Sequence, residues 1–130
     1  MSEYRKTYNL GSAEAGSLLM CSVCSNCSDT FLVKLLCGRR GLAVFNKNDE
    51  QWALRSLGQV SVEIQVSGGI VLDVEFGEHS LAVCDSLVRA DVTDDHGNAV
   101  GHTCTVSFGY WKDALYSNAV LTVTVLKKRF

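Results

Sequence analysis

The sequence contains no proline, where about one residue in twenty would be usual. That leaves no room for a proline-rich linker or a polyproline ligand segment. Turns must be made by the 11 glycines and by Asn and Asp. No apolar run approaches the ~18 residues of a membrane-crossing helix. The run Leu18, Leu19, Met20 is too short for the core of a secretion signal, and Glu3 and Glu14 precede it. The chain is therefore expected to be intracellular, cytoplasmic or nuclear, and not bound to a membrane. A basic excess is also missing, since 12 Lys and Arg stand against 14 Asp and Glu. Proteins held on nucleic acid by charge usually show the opposite balance.

Catalytic signatures are absent too. There is no G-x-S-x-G, no H-E-x-x-H, no G-x-x-x-x-G-K-[ST] and no G-x-G-x-x-G after a strand. The Asp94-Asp95 pair lies in a turn-rich stretch, where turn chemistry explains it better than acid–base work. A non-enzymatic protein is expected.

What is present is a hydrophobic fraction of 47% in 130 residues, enough to build one core. Residues 1–20 read as a polar lead-in, and 21–45 as a cysteine-rich knuckle followed by a hairpin. In that hairpin the apolar runs Phe31 to Cys37 and Leu42 to Phe45 flank Gly38-Arg39-Arg40-Gly41. Residues 46–58 read as a short helix, capped by Asn48 and ended by Gly58. Residues 59–130 read as an antiparallel β region. Val60, Val62, Ile64 and Val66 alternate with polar residues, Gly68-Gly69 looks like a turn, and Ile70, Leu72, Val74 and Phe76 alternate again. A long strand with a bulge near Asp85 and Ser86 is expected over 81–92, then strands over 99–108 and 119–126. A loop between them holds Tyr110, Trp111 and Tyr116. The expected fold is mostly β: an antiparallel sandwich or small barrel of about seven strands, one short helix and a Cys-rich N-terminal segment.

Six cysteines carry the chemistry. Cys21, Cys24 and Cys27 are spaced by three, Cys37 follows after nine residues, and Cys84 and Cys104 lie far downstream. C-x2-C spacing lets two thiolates grip one tetrahedral ion, whereas it suits an ordinary disulfide poorly. A zinc ion held by Cys21, Cys24, Cys27 and Cys37 is the metal expectation, beside the plainer one of buried apolar thiols. His102 and Cys104 share a strand face and make a second candidate metal pair, although a histidine on such a face is more often a hydrogen-bonded core residue.

Two functions compete. One is a zinc-stabilised, self-associating interaction or regulatory protein. Its final strand, Ala119 to Leu126, lacks the charges that usually guard an edge and so looks ready to pair with a second copy or another protein. The other is a small RNA-binding regulator, of the kind viruses use against host defence. It would use Arg39, Arg40, Lys127, Lys128 and Arg129 as a local basic surface, with Tyr110 and Trp111 stacking on bases.

Overall fold

The computed structural model of the chain describes residues 5–77, 84–109 and 118–127. Nine strands run through them: β1 Arg5–Ala13, β2 Leu18–Ser25, β3 Phe31–Cys37, β4 Arg40–Lys47, β5 Arg55–Glu63, β6 Gly68–Phe76, β7 Cys84–Thr93, β8 Ala99–Gly109 and β9 Ala119–Leu126. They form two antiparallel sheets, in the orders β1-β6-β3-β4 and β5-β2-β9-β8-β7. The architecture is a β-sandwich.

Alternation builds it. Leu19, Cys21 and Val23 of β2 pair with Val125, Val123 and Leu121 of β9 and point inward. Val33 and Leu35 of β3 pair with Val74 and Leu72 of β6 on the facing sheet. Burying each such side chain contributes roughly 1.5–3 kcal/mol. Phe76 meets Phe108 edge to face across the two sheets, ring centres 5.0 Å apart.

Several expectations need correction. No helix occurs among the described residues, and 46–58 holds the end of β4, an irregular segment and the start of β5. The lead-in is largely a strand, since Arg5–Ala13 pairs along β6. The knuckle is likewise a strand, β2. Val60 to Val66 and Ile70 to Phe76 are not a hairpin. β5 pairs β2 in one sheet, while β6 pairs β1 and β3 in the other. Residues 64–67 therefore carry the chain between layers. Gly68 and Gly69 lie inside β6, where a side chain on Gly68 would stand 3.0 Å from the Gly38 nitrogen. The β7–β8 register runs without a break past Asp85 and Ser86 and shifts only between Val92 and Thr93. The β3–β4 hairpin forms as expected. β9 is no edge strand, for it lies between β2 and β8 at the middle of its sheet.

Candidate functional site

The expected zinc ligands are dispersed. A strand sends successive side chains to opposite faces, so Cys21 and Cys24, three apart, cannot share one. Cys21 points into the core, and Cys24 points out and is exposed. Cys27 is buried in the β2–β3 loop, its thiol donating to the Asp29 carbonyl at 3.7 Å. Cys37 ends β3 on the facing sheet and donates to the Val66 carbonyl at 3.5 Å. Among the described residues no group of three or more His, Cys, Asp or Glu could hold a metal ion. Cys21, Cys24, Cys37 and Cys104 form no disulfide among the described residues.

His102 and Cys104 do converge, but on the main chain. His102 Nε2 lies 2.7 Å from the Leu10 carbonyl oxygen and the Cys104 thiol 3.8 Å from the same atom. A carbonyl only accepts, so Nε2 carries the proton. A register shift in β1 between Asn9 and Ser12 presents that carbonyl. Gly11 at φ 84° makes the kink possible, and a side chain there would meet Arg89 Nη1 at 2.9 Å. Beside this contact lies a polar cavity of about 290 Å³ lined by Ser12, Glu14, Arg89, Asp91, His102 and Lys127 among others.

Arg39 and Arg40 are exposed at the β3–β4 tip. Lys127 follows β9 on the other sheet. Lys128, Arg129, Tyr110, Trp111 and Tyr116 lie outside the described residues.

A cluster of exposed recognition chemistry lies at the opposite end of the sandwich. The β2–β3 loop is tied to the start of β9 by two asparagines. The Asn26 amide donates to the Asn118 carbonyl at 2.7 Å, and Asn118 Nδ2 returns a bond to the Asn26 carbonyl at 3.0 Å. The Asn26 side chain accepts from Trp52 Nε1 at 3.1 Å. Trp52 itself is 60% exposed. It stands on the irregular 48–54 segment, which Asp49 organises by accepting from the Gln51 amide at 3.1 Å and from Arg55 at 2.5 Å. Lys47, whose ammonium is fully buried, donates to the Asp49 carbonyl oxygen at 2.7 Å. The Arg55 guanidinium holds the Asp49 carboxyl below the usual range. Beneath this segment Ser25 Oγ and Arg55 Nε are buried with no hydrogen-bond partner among the described residues. A cleft of about 380 Å³ opens at the same end, with Thr30, Asn46, Asn48 and Glu75 among its polar lining. The signal in the sequence is slight: Trp52 lies within the 46–58 segment that reads as a helix, and Asn26 lies among the cysteines.

No family model matches the chain, and no curated protein sequence does. Solved structures do match. The C-terminal domain of the BC2L-C lectin from Burkholderia cenocepacia superposes with a TM-score of 0.60 at 10% identity, covering 92% of this chain and 97% of that one. A high-affinity mannose-binding lectin from Ralstonia solanacearum gives 0.58 at 16% identity, covering 90% and 96%. The lectin CV2L of Chromobacterium violaceum, solved in complex with α-methyl-fucoside, gives 0.58 at 14%, covering 91% and 93%. Together with the dispersed cysteines, these likenesses overturn the expectation of a zinc-stabilised or virus-type RNA-binding regulator, and what they establish for this chain is the lectin-type β-sandwich fold.

Proposed function

We propose that this protein binds carbohydrate without chemically altering it, at the end of the sandwich that carries Trp52 and Asn26. The observation that carries this is the exposed indole of Trp52 fixed by the Asn26 carboxamide. Sugars offer two chemistries at once, a ring of C–H bonds and a rim of hydroxyls. An exposed aromatic face suits the first, by the same amphipathic logic that enriches Trp at binding surfaces. Side-chain amides and carboxylates suit the second, because amides both donate to and accept from hydroxyls and carboxylates accept from them. Asn46, Asn48 and Glu75 in the adjoining cleft supply them. The lectins with similar folds, one named for mannose and one solved with a fucoside, make saccharides the first ligands to try. The unbridged thiols of Cys21, Cys24, Cys37 and Cys104 suit a reducing compartment.

Titration with methyl α-mannoside and methyl α-fucoside, followed by a glycan array, tests this. Saturable binding is expected, with Trp52→Ala and Asn26→Ala each weakening it at least about tenfold, the loss of one ~1.4 kcal/mol contact. An array without a single binder, or binding untouched by both substitutions, would overturn it.

A further inference from the structure

Strand β2 begins just after Ser17 and ends just before Asn26, so about 30 Å of strand separates the two ends of the sandwich. The polar cavity of about 290 Å³ beside the Leu10 carbonyl lies at the Ser17 end. Two of the side chains that line it are buried, Ser17 at 2% exposure and His102 at 8%. His102 is committed to the Leu10 carbonyl. The Ser17 hydroxyl donates to no partner among the described residues, whereas buried hydroxyls nearly always find one. Around the cavity stand four exposed charged side chains: Glu14 from the β1–β2 turn, Arg89 and Asp91 from β7, and Lys127 after β9. Two are anionic and two cationic, and none of them enters an ion pair among the described residues. Asp49, Asp73 and Asp85 by contrast each hold a cation. Arg89 and Asp91 lie on one face of β7, opposite Cys104 and His102 of β8. The bare backbone at Gly11 gives the Arg89 guanidinium its place, since a side chain there would meet Nη1 at 2.9 Å.

We propose that this cavity binds a small zwitterion of the α-amino acid class, its carboxylate on Arg89 and Lys127 and its ammonium on Asp91 and Glu14. Charge selects the class. A plain anion would meet two carboxylates, and a plain cation would meet a guanidinium and an ammonium. The four charges sum to zero, so the complementary ligand carries both signs and no net charge. A guanidinium presents paired N–H donors that match the two oxygens of a carboxylate. An ammonium has three protons to give, and carboxylates only accept. Size agrees. The volume falls just short of the roughly 300 Å³ at which pockets for drug-sized ligands begin, so the ligand is small. In an α-amino acid the nitrogen and the carboxyl carbon are about 2.5 Å apart. With a hydrogen bond of about 2.9 Å at each end it spans about 8 Å. Arg89 and Asp91 leave β7 about 6.6 Å apart, so one such molecule is long enough to bridge them. The Ser17 hydroxyl is then left to a polar ligand atom rather than to the protein. The site shares no residue with the Trp52 end, so this proposal stands or falls apart from sugar binding.

Amide NMR spectra of the full chain, titrated with each of the common L-amino acids to about 20 mM, read binding directly. At least one is expected to saturate with a Kd of roughly 0.1–1 mM, shifting the amides of Gly11, Ser17 and Gly101 while the Trp52 indole signal stays in place. Arg89→Gln and Asp91→Asn each remove one charge at an exposed position the core does not need, and the same spectra show that the variants are folded. Each is expected to weaken binding at least about fivefold. The N-acetyl and the carboxamide derivatives of the amino acid that binds, which lack one charge each, should lose affinity to a similar extent. Trp52→Ala should leave the titration unaltered. The absence of saturable shifts with every amino acid, binding indifferent to both charge removals, or an N-acetyl derivative that binds as well as its parent, which would mark a plain anion site, would each refute the proposal.

Discussion

At the level of single residues, position in the strand decides what a cysteine does. Spacing by three looked like a metal grip, yet in a strand it separates Cys21 from Cys24 across the sheet. The alternation Leu19, Cys21, Val23, Ser25 was visible in the sequence, but the ligand pattern masked it. Burial has a chemical consequence. It pushes the Cys21 thiol up to about 12, and burial raises those of Cys37 and Cys104 as well. From about pH 9 the unfolded chain gives up the Cys21 proton while the folded chain keeps it, so stability falls as pH rises toward 12, by about 1.4 kcal/mol per pH unit for this group. Cys21→Val keeps the shape and removes the thiol. Urea unfolding at pH 8 and at pH 10.5 should then show the wild type losing about 2 kcal/mol more than the variant. Equal losses would mean that the thiol does not titrate differently in the two states.

Elements were legible where a strand has one wet face and an adjacent partner. β3 and β4 emerge from apolar runs around a glycine-bounded turn, and β8 and β9 from the alternation and Val/Thr content of their strands. The failures share a cause: alternation gives a strand's faces and says nothing about its neighbours. β5 and β6 alternate as cleanly as any hairpin, yet they belong to different layers. β1 was missed because its exposed face is polar and Gly11 breaks its period. The segment 46–58 looked helical because Asn48, Asp49 and Glu50 resemble a helix start. In the fold Asp49 serves instead as the anchor of an irregular segment, holding Gln51, Arg55 and the buried ammonium of Lys47. Asp49→Ala would leave that ammonium with the carbonyl alone. Breaking a fully buried ion pair is strongly destabilising, but Asp49 is 37% exposed, so a smaller loss of stability is expected. Lys47→Met, which removes the charge and keeps most of the volume, should cost less. Thermal unfolding of the two variants checks the order. Asp49→Ala should also weaken sugar binding through the loosened Trp52, and that effect separates anchoring from simple stability.

For the whole molecule, the question is what joins the layers. Apolar packing does most of it, helped by polar links from β1 to the other sheet: His102 of β8 on the Leu10 carbonyl, and a cluster at the β1–β7 border. There the Tyr8 hydroxyl on one sheet donates to Asp85 Oδ2 on the other at 2.6 Å, and Lys6 lies 3.2 Å from the same oxygen. Burial alone would raise the Asp85 carboxyl, but hydrogen bonds from Tyr8 and Lys6 outweigh it and hold the group below the usual range. Arg5 does the same for Asp73. A carboxylate lowered in the folded state adds stability that is complete above its unfolded pKa, near pH 4, and is lost as pH falls through the folded value. Acid should therefore loosen the sandwich first at its polar border. Asp85→Asn isolates this contribution, which is about 1 kcal/mol for a link that is partly exposed to solvent. Urea midpoints should differ between wild type and variant at pH 7, and the gap should narrow as pH falls and the native carboxyl takes up its proton. A gap that persists unchanged into acid would show that Asp85 acts through shape rather than charge.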